Sequence, residues 1–289
     1  MKFTLRQLDV FLETARAQNI SRAAEALHLS QSAASSALKE LEKMYDIQLF
    51  DRLGKRLVLN DFGRAIKPRA QALLDQAREL EQDLLQRSDI GALKVGATLT
   101  IGNYLAVGIL TRYRQAHKDA DVALEVANTS QIVEKLVNFD LDIGMIEGEL
   151  NHPELELIPW RQDALVVFCA PDHPWAGKPW LSDEDVLAAD WILREPGSGT
   201  RQTFDRAMHG LLAGMKSPLE LQHTEAIKRA VEAGLGLGCL SNLCMEDAFR
   251  RGSLVPIPVP QRAFDRQFYL VLHRNKFRSR AIAQWIAYC

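Results

Sequence analysis

A chain of 289 residues with 47% hydrophobic residues and a formal net charge of −2 is long enough for two or three domains with real cores. No apolar run approaches the roughly 20 residues needed to span a bilayer, and the N-terminus lacks a signal-peptide pattern, so a cytoplasmic chain is expected. Cys169, Cys239, Cys244 and Cys289 show no metal-ligand spacing and the seven histidines are scattered, which predicts reduced, buried thiols and no metal or cofactor.

Along the chain, Leu5, Leu8, Phe11, Leu12 and Ala15 predict a first amphipathic helix. Ile20, Ala23, Ala24 and Leu27 then form a second apolar stripe at i, i+3, i+4, i+7. Leu29 and Ser30 make a turn, with Ser30 placed to cap the next helix, whose buried stripe is Ala34, Leu38 and Leu41. The other face of that helix carries Gln31, Ser32, Ser35, Ser36 and Lys39. Short polar side chains let a helix backbone approach base edges in a DNA major groove. An alanine-rich helical hairpin with a solvated polar face has the same pattern, so the flanks decide between the two.

The segment Gln48–Leu59 predicts a β-hairpin with Arg52, Gly54, Lys55 and Arg56 at its tip. From Arg52 to Arg69 there are six basic residues against Asp61 alone, a local charge of +5 in a chain that is slightly acidic overall. A basic hairpin beside a recognition helix is a wing for the phosphate backbone.

The stretches LRQLDVFLETARAQNISRAAEALHLSQSAASSALKELE and LFDRLGKRLVLNDFG resemble the LysR-type transcriptional regulators, and length and layout agree over essentially the whole chain. Asn60 stands where members usually carry Thr, and Phe62 where they carry a small residue, which bears on how the next helix begins. The resemblance implies promoter DNA as partner, homodimers that pair into a homotetramer, contact with RNA polymerase, and no enzymatic activity.

Ile66, Ala70, Leu73, Ala77, Leu80 and Leu84 are spaced four and three apart, a heptad seam on a helix from about Asp61 to Arg87. Such a helix is a dimerisation linker. Pro68 conflicts with a straight helix and predicts a kink or a start nearer Pro68.

Beyond Gly91 short apolar runs alternate with amphipathic helices. Strands are expected at Leu93–Ala97, Val122–Ala127, Leu141–Ile146, Leu165–Ala170, Trp191–Leu193, Leu219–Leu221, Leu237–Leu240 and Arg266–Leu272. Helices are expected around Asn103–Gln115, Gln131–Asn138 and Ser279–Ala287. The fold class is therefore α+β overall: a winged helix-turn-helix in residues 1–60, a linker helix in 61–89, and a two-lobed α/β effector domain in 90–289. The resemblance implies a periplasmic-binding-protein-like form for that domain. Its lobe I would hold 90–163 and 265–289 and lobe II 164–264, with crossovers near Asp163 and Phe264.

A small molecule is expected between the lobes. Gly197, Ser198, Gly199, Thr200 and Arg201 follow a strand and open a helix, a combination of free N–H groups, hydroxyls and a cation suited to an anion. Thr98 and Thr100 end the first strand, and Asn128, Thr129 and Ser130 precede another helix. In the family these places line the effector pocket. Glu147 is expected to border it, facing an ammonium group, a protonated ligand or Arg201. Glu225 complements the dipole of its own helix. The phrases REPGSGTR and TEAIKRAVEAGLGLGCLS resemble the sulfur-assimilation and carbon-fixation regulators, implying a sulfate- or sulfite-like oxyanion or a small phosphorylated or carboxylated metabolite.

Two other readings are weaker. A hydrolase or a non-regulatory binding protein using the Gly197–Thr200 loop lacks the G-x-S-x-G elbow and a paired histidine. Gly234, Gly236 and Gly238 follow a helix and open a strand, the reverse of the dinucleotide fingerprint.

Overall fold

Each of the first three helices begins at a side-chain cap written into the sequence. The computed structural model describes residues 2–54, 56–84 and 91–289. In α1 (Leu5–Ala17) Thr4 and Gln7 form a reciprocal capping box. Asn19 accepts the N–H groups of Ser21 and Arg22 at the start of α2 (Ile20–Ala26), and Ser30 accepts that of Ala33 at the start of α3 (Gln31–Tyr45). Leu8, Phe11, Ala24, Ala34, Leu38 and Leu41 meet in one core, closed by Leu49 and Phe50. Phe50 opens the antiparallel pair β1 (Phe50–Leu53) and β2 (Arg56–Leu59). Its ring meets Phe11 edge-on at 5.7 Å.

The long helix α4 (Asp61–Leu84) starts at Asp61 and runs through Pro68, so no later start occurs. Asn60 explains this. Its Oδ1 accepts the Gly63 N–H at 2.8 Å while its Nδ2 donates to the Gln48 carbonyl at 2.9 Å, which nucleates the turn ahead of the proline. Gly63 is required there, because a Cβ would lie 2.2 Å from the Leu49 carbonyl oxygen. The predicted seam is divided. Ala70, with Leu74, is buried against the head, whereas Leu73, Leu80 and Leu84 are exposed. Residues 85–90, which include the expected end of this helix at Arg87, lie outside the described residues, as does Lys55.

The chain divides into two units, residues 1–91 with 275–279 and residues 92–274 with 280–289. The second is built on a nine-stranded sheet. Its elements are β3 (Leu93–Thr98), α5 (Leu99–Ile101), a π-helical turn (Gly102–Ala106), α6 (Val107–Ala116), β4 (Val122–Ala127), α7 (Thr129–Val137), β5 (Ile143–Glu147), β6 (Leu155–Cys169), α8 (Asp183–Ala188), β7 (Trp191–Leu193), α9 (Gly199–Ala207), β8 (Leu219–Glu220), α10 (Thr224–Glu232), β9 (Leu237–Ser241), α11 (Asn242–Arg251), β10 (Val255–Pro256), β11 (Asp265–His273) and α12 (Arg280–Tyr288). The strand order is β4-β3-β5-β11-β6-β9-β7-β8, with β10 also on β6.

β6 begins at Leu155, well before the expected Leu165. Pro159 and the polar run Arg161-Gln162-Asp163 hide its first half from any apolar pattern, and pairing with β11 forms the strand instead. The register slips beside Pro159, where Trp160 is left over. Ala164 still pairs with β11, and from Leu165 onward β6 pairs with β9. One continuous strand thus leaves lobe I and enters lobe II. Ile132, Leu136, Leu141, Ile146, Leu155 and Val271 form the core of lobe I. Lobe II has apolar clusters around Trp191 and Phe204 and around Phe168 and Ile227. In both lobes the central strands are parallel, so the helices that follow them start along one edge of the sheet.

Candidate functional site

On α3, Gln31, Ser32, Ser36 and Lys39 are exposed and Ser35 is half-buried, leaving one polar face free beside the buried Ala34, Leu38 and Leu41. Ser30 and Ser32 share a hydroxyl contact of 3.0 Å at its start. Arg52, Gly54 and Arg56 are exposed on the hairpin, whose turn uses Gly54 at φ 62°. The Leu57 N–H donates to the Gln18 carbonyl at 2.9 Å, tying the hairpin to the end of α1. The head therefore offers a free polar helix face and a basic hairpin, the two parts that reading a duplex requires.

In the second unit a buried polar centre joins the lobes. Glu147, at the end of β5, is 1% exposed. It accepts the hydroxyls of Thr98 (2.9 Å), Thr100 (3.3 Å) and Thr200 (3.1 Å). Arg266 on β11 lies 3.7 Å from the same carboxylate and is equally buried. Its Nε donates to Asp163 of β6 at 2.7 Å, its Nη1 to Thr200 at 3.0 Å and its Nη2 to Thr100 at 3.5 Å. Ser241, at the end of β9, donates to the other oxygen of Asp163 at 2.9 Å. Two carboxylates and one guanidinium are thus held dry by hydroxyls, an arrangement that is tolerated only because each charge is hydrogen-bonded.

Around this centre the lobes touch backbone to backbone. Gly199 donates its N–H to Thr129 Oγ1 at 3.0 Å, and a Cβ on it would lie 2.0 Å from the Glu147 carbonyl oxygen. Gly197, at φ 90°, packs on Ser130, whose N–H and hydroxyl both meet the Gly197 carbonyl. Asn128 caps α7 and donates to Glu195 at 3.1 Å, and the buried Arg194 holds that carboxylate bidentately. Gln202 and Glu149 exchange two hydrogen bonds of 2.9 Å across the rim. The two glycines allow the close backbone approach of the lobes.

Among the described residues, Ser198 Oγ, at the start of α9, and Thr224 Oγ1, at the start of α10, are buried without a hydrogen-bond partner. A cavity of about 410 Å³ is lined by Ser130, Val133, Gly197, Ser198 and Arg201. Another of about 370 Å³ reaches Asp163 and Arg266.

One expectation is corrected. Arg201 does not face Glu147; its guanidinium binds Asp205, Glu220 and the Arg194 carbonyl. The cation at Glu147 is Arg266, which sequence reasoning missed, along with Asp163. A signal existed: Arg266 shares strand parity with the buried Phe268, Leu270 and Leu272, so an inward charge was legible. Glu225 does more than sit in a helix dipole, since it also pairs with Lys228.

A head with a free polar helix face and a basic hairpin, joined to a two-lobed module with a buried polar centre, has the parts of a DNA-binding regulator with an effector-binding domain. Residues 5–64 match the bacterial regulatory helix-turn-helix protein, lysR family, and residues 86–289 match the LysR substrate binding domain; the chain belongs to the LysR family of transcriptional regulators and is not an enzyme. It is 43% identical over 289 residues to the HTH-type transcriptional regulator YeiE of Escherichia coli strain K12, covering 100% of this chain and 98% of that protein. It is 34% identical to the RuBisCO operon transcriptional regulator of Allochromatium vinosum, over 96% of this chain and 92% of that one. Full-length OxyR from Pseudomonas aeruginosa has the same fold, with a TM-score of 0.77 at 24% identity over 100% and 95% of the two chains. The Synechocystis CcmR regulatory domain, solved in complex with 2-PG, matches at a TM-score of 0.63 and 27% identity, over 68% of this chain and 95% of that chain.

Proposed function

We propose that promoter binding by this regulator is modulated by a small anion enclosed between the lobes, sulfate- or sulfite-like in size. The observation that carries this reading is the polar centre of Glu147, Arg266 and the threonines Thr98, Thr100 and Thr200, with the unpartnered hydroxyl of Ser198 beside it. Arg266 and the N-terminus of α9 attract negative charge. Glu147 opposes it, which disfavours fully deprotonated sulfate and favours hydrogensulfite, whose hydrogen can face this carboxylate. Thr98, Thr100, Glu147, Thr200 and Arg266 are each at most 5% exposed and already touch one another, so a ligand of few atoms suits the space. A small phosphorylated or carboxylated metabolite is the second reading, favoured by the CcmR complex with 2-PG.

In this account Gln31, Ser32, Ser35, Ser36 and Lys39 read the major groove while Arg52, Lys55 and Arg56 hold phosphates. Exposed Leu73, Leu80 and Leu84 on α4, together with the apolar groove of Phe3, Leu8, Phe11 and Tyr45, pair two copies, and two dimers assemble into the tetramer. The regulator acts in the cytoplasm on promoter DNA beside RNA polymerase. Footprinting on the promoter beside its own gene, with and without sulfate or sulfite at two salt concentrations, tests the whole. A salt-sensitive footprint that changes with one ion is expected. Specific binding that ignores every ion while a metabolite alters it discards the inorganic class.

A further inference from the structure

Thr224 and Lys228 stand four residues apart on α10 and so share one face of that helix. Lys228 shows where the face points: its Nζ lies 3.4 Å from the hydroxyl of Tyr104, which lobe I supplies from its π-helical turn. The Lys228 side chain is only 10% exposed, and its ammonium also donates to the Cys244 carbonyl at 3.3 Å and pairs with the Glu225 carboxylate. The Cys244 thiol in turn reaches Thr100 of the Glu147 centre at 3.9 Å, so this position lies in the same cleft, beside that centre.

Three features mark the start of α10. Its N-cap, His223, makes no side-chain cap bond. The Thr224 hydroxyl is buried without a partner on a residue only 3% exposed. Burial alone would lower the Lys228 ammonium, yet Glu225 and Tyr104 hold it above the ordinary lysine range, so it keeps its charge in the cleft. A helix N-terminus, an unused hydroxyl donor and a buried cation together suit one acidic group. Glu225 occupies the cation in the present structure. Its side chain is 63% exposed and can swing into water at little cost.

We propose that the N-terminus of α10 is a second anion subsite of the cleft, with Thr224 and Lys228 as its donors and Glu225 as a built-in competitor that an incoming carboxylate or oxyanion displaces. The subsite rests on the reading that the cleft takes an anion and is separate from the Glu147–Arg266 centre. It gives the effector room for a second acidic group, or the cleft room for a second ion.

Isothermal titration of the full-length protein with sulfate, a single ion, and with phosphonoacetate, which has two acidic ends, tests it. Glu225→Ala removes the competitor and tightens binding roughly three- to tenfold, a gain that no general loosening of the fold produces. Thr224→Ala weakens binding about fivefold, and Lys228→Met about tenfold or more. A response limited to phosphonoacetate assigns the subsite to the far end of one effector; a response with sulfate as well assigns it to a free ion. If Glu225→Ala and Lys228→Met leave both affinities unchanged while Arg266→Lys weakens them, the α10 subsite is overturned and the central reading stands. Absence of heat from either anion with every variant overturns both.

Discussion

Arg266 is the residue on which the inter-lobe centre depends, because it is the cation that faces both Glu147 and Asp163. Arg266→Met leaves two buried carboxylates uncompensated, and a loss of about 3–5 kcal/mol in the effector unit is expected, read as a lower denaturant midpoint. Gly199→Ala drives a methyl group into the Glu147 carbonyl and costs about 1–3 kcal/mol by forcing the lobes apart. A thermal melt of that variant checks it. The thiols give a further test at this scale. Burial pushes Cys169 up to about 11 and Cys244 up to about 12, with Cys239 also raised. Iodoacetamide at pH 8 is therefore expected to leave these three unmodified in the folded protein and to label all four cysteines after denaturation.

Among the elements, α4 and the β1–β2 hairpin carry the clearest expectations. Leu80 is 58% and Leu84 76% exposed, an unpartnered apolar stripe on a helix whose other side is anchored by Ala70 and Leu74. Replacing both exposed leucines with lysine is expected to give monomers in analytical ultracentrifugation with unchanged helix content, since neither is buried among the described residues. Unchanged dimers would place the subunit contact elsewhere. On the hairpin, Arg56→Ala is expected to weaken binding to all DNA sequences and to reduce the salt slope by about one unit. Gln31→Ala on α3 is expected to relax preference at particular base pairs while the slope stays the same. Equal effects of both changes on specific and random duplexes would remove that division of labour.

For the whole molecule, a ligand alters promoter binding only to the extent that it prefers one arrangement of the lobes. Direct contacts from Ser130–Gly197 to Gln202–Glu149 hold the two lobes against each other. What was legible in the sequence is what depends on neighbours a few residues away. The cap at Ser30, the polar face of α3, the basic hairpin and the alternation of strands and helices all follow from local periodicity and hydrogen bonding. The threonines at 98, 100 and 200 were legible as hydroxyls at strand and helix ends. Only the tertiary structure decided their partners. Thr100 and Arg266 stand 166 residues apart and meet because the chain returns from lobe II to lobe I, where β11 pairs between β5 and β6. No spacing in the chain encodes which charge is brought beside Glu147. Arg201 lost that place to Arg266 because two carboxylates lie closer to it along α9 and β8, and a guanidinium binds the acids that packing brings within reach.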